Sequence, residues 1–182
     1  MSILKTNQIT DLGGNELLTS NGSGVISSGG AITNTPAFMA YKNADQTLSD
    51  ATNTKITFPA TYINVESYFD TSNSRFTPLV AGKYYLQCTV TYECGSANAY
   101  DNSGLQFYVN GSTTFWEQSI IPNQNGNRFS EKICGIIEFN GSSDYVEVFG
   151  FHDVSTGTTK AKGHATNYRA FSFWSGYKLI GA

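Results

Sequence analysis

The residues of this sequence that could do chemistry are few, and their spacing does not form a catalytic pattern. His152 is followed directly by Asp153, the two residue types that assist the nucleophile in Ser-His-Asp hydrolases. No Ser or Cys lies in a nucleophile-elbow sequence, so no partner for this pair is evident. We interpret the pair as a histidine at the end of a strand beside an aspartate in a loop.

Two pairs of carboxylates could in principle serve as the acid and base of a glycoside hydrolase. Glu131 and Glu138 form one pair, and Asp144 and Glu147 form the other. Both pairs lie in segments with the alternation of β-strands, where we expect these carboxylates to point outward into solvent. We therefore predict that the chain is not an enzyme.

The three cysteines, Cys88, Cys94 and Cys134, are an odd number and have no CxxC spacing. This pattern predicts buried free thiols rather than a disulfide framework. A zinc site would need a further ligand from His152 or His164, and the tight ligand pairs that mark such sites are missing from the sequence. We expect no metal and no other cofactor.

The composition narrows the class of partner. Charged residues make up 14% of the 182 residues, the aromatic fraction is also 14%, and the net charge is −3. A negative chain without a dense Lys/Arg face is not expected to bind nucleic acid. No apolar run is long enough to span a membrane, and no secretory leader is evident, so we expect no membrane contact. Such a polar, weakly charged surface is typical of a β protein that packs against other proteins or its own copies.

The clearest structural signal is a long amphipathic strand in the middle of the chain. From Lys83 to Tyr92 apolar and polar residues alternate with a period of two. Leu105–Val109 repeats the pattern, and the following Asn110-Gly111 is a strong hairpin signal. Similar segments continue to the C-terminus without a helical period. The sequence therefore predicts an all-β sandwich over residues 36–182.

Residues 1–35 have a different composition, with no aromatic residue and with turn signals such as Gly13-Gly14-Asn15. Two interpretations fit this segment: a disordered tail, or an extended arm whose small apolar anchors dock on a partner. The candidate docking residues of the arm are Ile3, Leu4, Ile9, Leu12, Leu17, Leu18, Val25 and Ile26.

The order of motifs after residue 36 resembles the C1q/tumour-necrosis-factor (C1q/TNF) superfamily of trimeric jelly rolls. The residues that carry the resemblance are Ala37-Phe38, Phe69-Asp70, Phe76, Gly82, Tyr84, the run LQFYVNG at 105–111, DYVEV at 144–148 and the terminal FWSGYKL at 173–179. The resemblance implies a C1q/TNF-like jelly-roll sandwich that assembles as a homotrimer. The loops depart from the family, so none of its ligands is carried over.

The opening sequence MSILKTNQI, followed by Asp11 and Gly14-Asn15, resembles the N-termini of tailed-bacteriophage virion proteins, which include tail fibres and capsid decoration (cement) proteins. Together the two resemblances imply a virion structural protein on the capsid surface. The arm would contact the major capsid protein, or tail proteins if the chain belongs to the tail.

A trimer also has a physical reason, because the sequence contains more aromatic residues than a small sandwich core readily holds. The alternative is that all of them lie inside the monomer. The candidates for the trimer interface or the core are Tyr84, Tyr108, Phe149, Phe171, Phe173 and Tyr177.

Two other functions remain open at this point. The chain could be a tail-fibre tip that recognises a host glycan through the loops Glu93–Ser103, Ile121–Arg128 and Ser155–Asn167, with Trp116 or Trp174 stacking on a sugar. It could also be a secreted C1q/TNF-like signalling module, although the sequence shows neither a leader nor a collagen repeat.

Overall fold

The chain forms a three-stranded N-terminal sheet, followed by a sandwich of two antiparallel sheets that we call the head. The computed structural model describes residues 6–23, 26–28, 34–96, 100–120, 127–166 and 171–180. These residues contain no α-helix, only a 3₁₀ turn at Val65–Ser67. In the described part of the chain, no helix has the length and apolar character needed to cross a membrane.

The strands fall into three separate sheets. The N-terminal sheet contains β1 (Gln8–Thr10), β2 (Glu16–Ser20) and β3 (Ile26–Ser28). The first head sheet contains β4 (Ala37–Tyr41), β5 (Gln46–Leu48), β7 (Ala60–Asn64), β10 (Gly82–Cys94), β13 (Arg128–Phe139), β15 (Thr159–Ala161) and β16 (Phe173–Lys178). The second head sheet contains β6 (Thr54–Lys55), β8 (Phe69–Asp70), β9 (Arg75–Phe76), β11 (Tyr100–Val109), β12 (Ser112–Ile120) and β14 (Val146–Val154).

The long strand β10 organises the first head sheet. On one side it pairs with β13 along its length, from Gly82 opposite Phe139 to Glu93 opposite Arg128. On its other side it pairs first with β16 and then with β15. Its inward side chains are buried as the period-two pattern predicts, because successive side chains of a strand point to opposite faces.

Trp174 is the centre of the aromatic core between the two head sheets. It is fully buried, and its ring meets Phe38 edge-on at a centroid distance of 5.1 Å and Phe69 at 5.3 Å. Phe107 reaches the same indole from the second sheet, at 6.4 Å. Edge-to-face packing of this kind adds to the stabilisation that comes from apolar burial.

The hairpin predicted at Asn110-Gly111 is confirmed. Both residues have positive φ, 52° and 81°, and they connect β11 to β12 with Val109 opposite Ser112. Two successive positive φ angles are what a two-residue hairpin turn needs, and Asn and Gly adopt them most readily. The turn is also held from outside, because the Asn110 side-chain oxygen accepts a hydrogen bond from the Tyr145 amide at 3.0 Å.

Two predicted loops contain strand residues. β11 begins at Tyr100, inside the predicted loop Glu93–Ser103, because the Tyr100 ring is buried and stacks on Phe129 at 4.2 Å. β15 lies inside the predicted loop Ser155–Asn167, where it pairs with both β10 and β5. The polar composition of both segments predicts loops, but hydrogen bonding to strands distant in sequence makes part of each segment a strand.

The predicted extended arm folds back on itself. β1, β2 and β3 form an antiparallel meander in which Ile9 lies opposite Leu18. Its first turn is closed by Asp11, whose Oδ1 accepts hydrogen bonds from the amides of Gly13 at 2.8 Å and Asn15 at 2.9 Å. The turn signal at Gly13-Gly14-Asn15 thus closes a hairpin.

We expect Trp174→Ala to lower the free energy of unfolding by about 4 kcal/mol, because it removes the ring that joins the two head sheets and leaves a cavity. Guanidinium denaturation followed by circular dichroism measures the loss. Trp174→Phe serves as the control, since it keeps an aromatic ring and should cost less. Equal stability of Trp174→Ala and the natural protein would contradict the assigned core.

Candidate functional site

The outward face of the first head sheet carries aromatic and aliphatic side chains, and we call it the aromatic face. Tyr85 of β10 lies opposite Ile136 of β13 on one side and Tyr177 of β16 on the other. The rings of Tyr85 and Tyr177 are 5.7 Å apart. Ile136 is 55% exposed and Tyr177 is 40% exposed, so this row is open to solvent in the single chain.

The next row of the aromatic face follows the order Cys134, Gln87, Ser175, Met39 and Ile63 across the sheet. A shallow depression of about 120 Å³ lies between β10 and β13 and is bordered by both rows. The expectation of buried thiols is wrong for Cys134, which is exposed here, and correct for Cys88 and Cys94. Charged residues border the apolar row, with Lys83 opposite Glu138 on one side and Lys132 beyond Cys134 on the other. An apolar centre with a polar rim is the arrangement of a protein-contact surface.

The candidate aromatic residues lie in three different places. Tyr84 is fully buried in the core, where its ring packs edge-on against Phe139 at 5.4 Å. Phe173 and Tyr177 lie in β16 on the aromatic face. Phe171 precedes that strand and is half-buried, with the Arg128 guanidinium 5.4 Å from its ring.

Tyr108 and Phe149 lie instead on the outward face of the second head sheet, stacked on each other at 4.1 Å. Because the outward faces of the two head sheets point in opposite directions, the candidate aromatics do not form one surface. Tyr85 and Ile136 belong to the aromatic face, but they are not among the candidates identified from the sequence. The period-two alternation of β13 could have identified Ile136, because its neighbour Ile137 points inward and Ile136 must therefore point outward.

The N-terminal sheet exposes part of its apolar side chains. Ile9 is 44% exposed and Leu17 is 48% exposed, while Leu12 is fully exposed in the turn and Leu18 is half-buried. A groove of about 100 Å³ runs along Ile9 and Leu18. The backbone of Ile26 lies in β3, and the other candidates, Ile3, Leu4 and Val25, lie outside the described residues.

Two carboxylates predicted to point into solvent are buried instead. Glu131 accepts a hydrogen bond from the Ser103 hydroxyl, and the Tyr100 hydroxyl donates to it at 3.4 Å. Glu147 accepts hydrogen bonds from Lys55 at 2.6 Å and from Arg75 at 2.8 Å. The prediction of solvated positions is wrong for both. Glu131 lies between the head sheets with its hydrogen-bond partners, whereas Glu147 is on the outward face and is covered there by the two cations.

Opposing effects set the pKa of Glu147. Burial acts to raise the pKa, but the hydrogen bonds from Lys55 and Arg75 outweigh it, so the pKa is held below its usual value. A carboxylate that stays ionised between two cations has no proton to donate, so Glu147 forms structural ion pairs and is not suited to act as a general acid. It connects β14 to β6 and β9.

His152 is also a buried residue rather than the strand-end histidine expected from sequence. Its ring stacks on Tyr92 at 5.0 Å, and its Nε2 lies 3.6 Å from the Sγ of Cys94. Burial lowers the pKa of His152 to about 4 and raises the pKa of Cys94. A neutral thiol beside a neutral imidazole is a poor nucleophile. Among the described residues, no group of three or more His, Cys, Asp or Glu side chains could hold a metal ion.

The two tryptophans have opposite environments. Trp174 is fully buried, so it packs in the core and cannot stack on a sugar. Trp116 lies on β12 at the outward face of the second head sheet and is 55% exposed. It is therefore the tryptophan that a ligand can reach.

The head has the C1q/TNF-like jelly-roll fold that the sequence predicts. It is similar to the globular domain of zebrafish complement 1qA with a TM-score of 0.55, at 13% identity over 79% of this chain and 96% of that one. Eiger TNF from S. frugiperda gives a TM-score of 0.57, at 13% identity over 80% of this chain and 93% of that one. Murine APRIL gives 0.54, at 12% identity over 79% and 98%. No family model matches the chain, and no curated protein matches it.

We expect the free energy of unfolding to fall by about 2 kcal/mol between pH 7 and pH 5 because of His152. The unfolded imidazole gains a proton near pH 6.5, whereas the buried imidazole does so only near pH 4, so acid favours the unfolded chain. His152→Phe keeps the stacking on Tyr92 and should remove this pH dependence. Urea titrations at the two pH values measure it, and equal pH dependence in both proteins would contradict the assignment.

Proposed function

We propose that the chain is a trimeric structural protein of a tailed-bacteriophage virion, a decoration protein on the capsid surface. Its heads associate through the aromatic face, and its N-terminal arms bind the major capsid protein and stabilise the shell. The observation that carries the proposal is the exposure of two separate apolar surfaces, one on the first head sheet and one on the arm sheet.

The aromatic face favours self-association. It lies on the sheet whose inward side supplies the core, and its exposed apolar row runs through Tyr85, Ile136 and Tyr177. Closed three-fold packing buries such a face without leaving an open end for further copies. The superfamily that the head sequence resembles is trimeric, which supports three copies rather than two.

The arm favours attachment to another virion protein. Among the residues that the structure describes, no strand of its sheet pairs with the head. A small sheet with exposed apolar residues gains stability when a partner covers them. The eight residues between β3 and β4 can span about 30 Å, so each arm can reach a site beside the head.

The mechanism of stabilisation is mass action. An arm that binds the assembled shell but not free capsid subunits lowers the free energy of the assembled state. Three arms joined by one trimer bind with avidity, so no single arm needs high affinity. The resemblance of the first nine residues to phage virion proteins is the support for this partner.

We expect Ile136→Asp to convert the trimer into a folded monomer of 19.8 kDa, because the aspartate places a charge in the buried interface. Multi-angle light scattering at micromolar concentration measures the mass, and circular dichroism verifies the fold. Trp116→Asp is the matched control, since Trp116 is also 55% exposed but lies on the other sheet. The proposed interface would be contradicted if the natural protein were monomeric or if the Ile136→Asp variant stayed trimeric.

We expect removal of residues 1–30 to leave a folded trimer that no longer binds capsids, because the apolar residues of the arm are lost. Leu17→Asp in the full chain should weaken binding in the same direction, since Leu17 is 48% exposed. Capsid pull-down and occupancy on purified shells measure the effect. Shells decorated by the truncated protein at natural occupancy would show that the arm is not the anchor.

Immunogold labelling of virions tests the location separately. Gold on the heads supports a decoration protein, whereas gold confined to the tails would overturn it in favour of a tail-fibre or receptor-binding protein. This measurement is independent of the trimer, because it reports only where the chain is bound.

A further inference from the structure

A second surface, on the outward face of the second head sheet, is built differently from the aromatic face. Trp116 of β12 lies opposite Gln106 of β11 and is 55% exposed. A Cβ atom placed on Gly104 would lie only 3.0 Å from the Trp116 Nε1. The indole therefore reaches across β11 at a position where that strand has no side chain, and it remains open to solvent.

Hydrogen-bonding groups accompany the indole along β11. Gln106 is buried, and its amide is fixed on both sides, since Nε2 donates to Asn53 at 2.7 Å and Oε1 accepts from Thr113 at 3.2 Å. Within the described residues, the Nδ2 group of the exposed Asn53 donates no hydrogen bond, so it is free for a ligand. Asn102, on the same face of β11, has a side-chain oxygen without a partner among these residues.

The surface carries few charges, which restricts the ligand. The outward positions of β11 are Asn102, Gly104, Gln106 and Tyr108, and the position opposite Gly104 on β12 is Gln118. Asp153 lies opposite Asn102 at one end of this row, and near the other end Lys55 and Glu147 pair with each other. A site of neutral amides and hydroxyls complements a neutral ligand rather than an anionic or cationic one.

The size of the surface favours a small ligand over a protein. A stable protein interface buries about 800 Å² on each partner around an apolar centre, whereas the exposed apolar element here is one indole ring. An indole face matches the area of one sugar ring, whose C–H groups are attracted to the negative π-face. Sugar hydroxyls are both donors and acceptors, so they can pair with Asn53 and similar amides.

We infer that the surface around Trp116, Gly104, Gln106 and Asn53 binds a neutral oligosaccharide, with one sugar ring stacked on the Trp116 indole. This inference does not rest on the proposed trimer or on the virion, because the site is formed within one chain. It lies on the sheet opposite the aromatic face, so self-association through the aromatic face leaves the site accessible.

The test begins with the full-length protein on an array of neutral and sialylated oligosaccharides, followed by calorimetric titration of the neutral glycan retained most strongly. Trp116→Ala should weaken binding at least about tenfold, and Trp116→Phe should retain part of it. Asn53→Ala should also weaken binding. Tyr62→Ala is the matched control, because Tyr62 is 55% exposed on another strand and should leave affinity unchanged.

Intrinsic fluorescence gives a second readout. The chain has two tryptophans, and only Trp116 is exposed, so the glycan should protect it from acrylamide quenching while buried Trp174 is unaffected. The inference is overturned if the array retains no neutral glycan, if only sialylated glycans bind, or if Trp116→Ala binds as the natural protein does. Circular dichroism of each variant shows that loss of binding is not loss of fold.

Discussion

The structure depends on one constraint, which is that the inward side chains of β10 are apolar and have to be covered by the second head sheet. Its inward residues, from Tyr84 to Tyr92, meet the second head sheet around Trp174. Its outward Tyr85 lies in the exposed row with Ile136 and Tyr177. Burial of the inward face builds the sandwich, whereas the outward face is mostly polar and carries one apolar row that is open to solvent in the single chain. That row is the basis of the proposed self-association.

Ion pairs on the surface of the head connect its strands. Glu147 lies between Lys55 and Arg75, and Lys162 donates hydrogen bonds to Asp45 at 2.6 Å and Glu93 at 3.2 Å. Each cluster joins segments that are distant in sequence. These ion pairs are partly exposed, so solvent screens them and each adds little to stability. Their role is to connect the strands in one arrangement, which suits a sandwich whose short edge strands have few backbone hydrogen bonds of their own.

The sequence pattern predicts correctly those parts of the fold that depend on interactions between residues close in sequence. The period-two alternation of Lys83–Tyr92 and the Asn110-Gly111 turn both depend on residues close in sequence, and both are confirmed. Glu131 and His152 are different, because their partners Ser103 and Cys94 come from other strands. Alternation shows which residues share a face of a strand, but not which face a distant strand will cover. For the same reason the sequence identified an aromatic excess without separating Tyr84 in the core from Tyr177 on the surface.

The placement of the exposed surfaces determines what an assembled protein could do. The aromatic face and β4, the strand that follows the arm, belong to the same sheet, whereas Trp116 belongs to the other. Association through the aromatic face would therefore gather the attachment points of the three arms near the symmetry axis and leave three Trp116 surfaces outside. Weak sites that are linked in this way bind a multivalent partner far more tightly than any one of them alone. The proposed capsid shell and the inferred oligosaccharide, if it is part of a polysaccharide, are both multivalent, so modest single-site contacts would be sufficient for both.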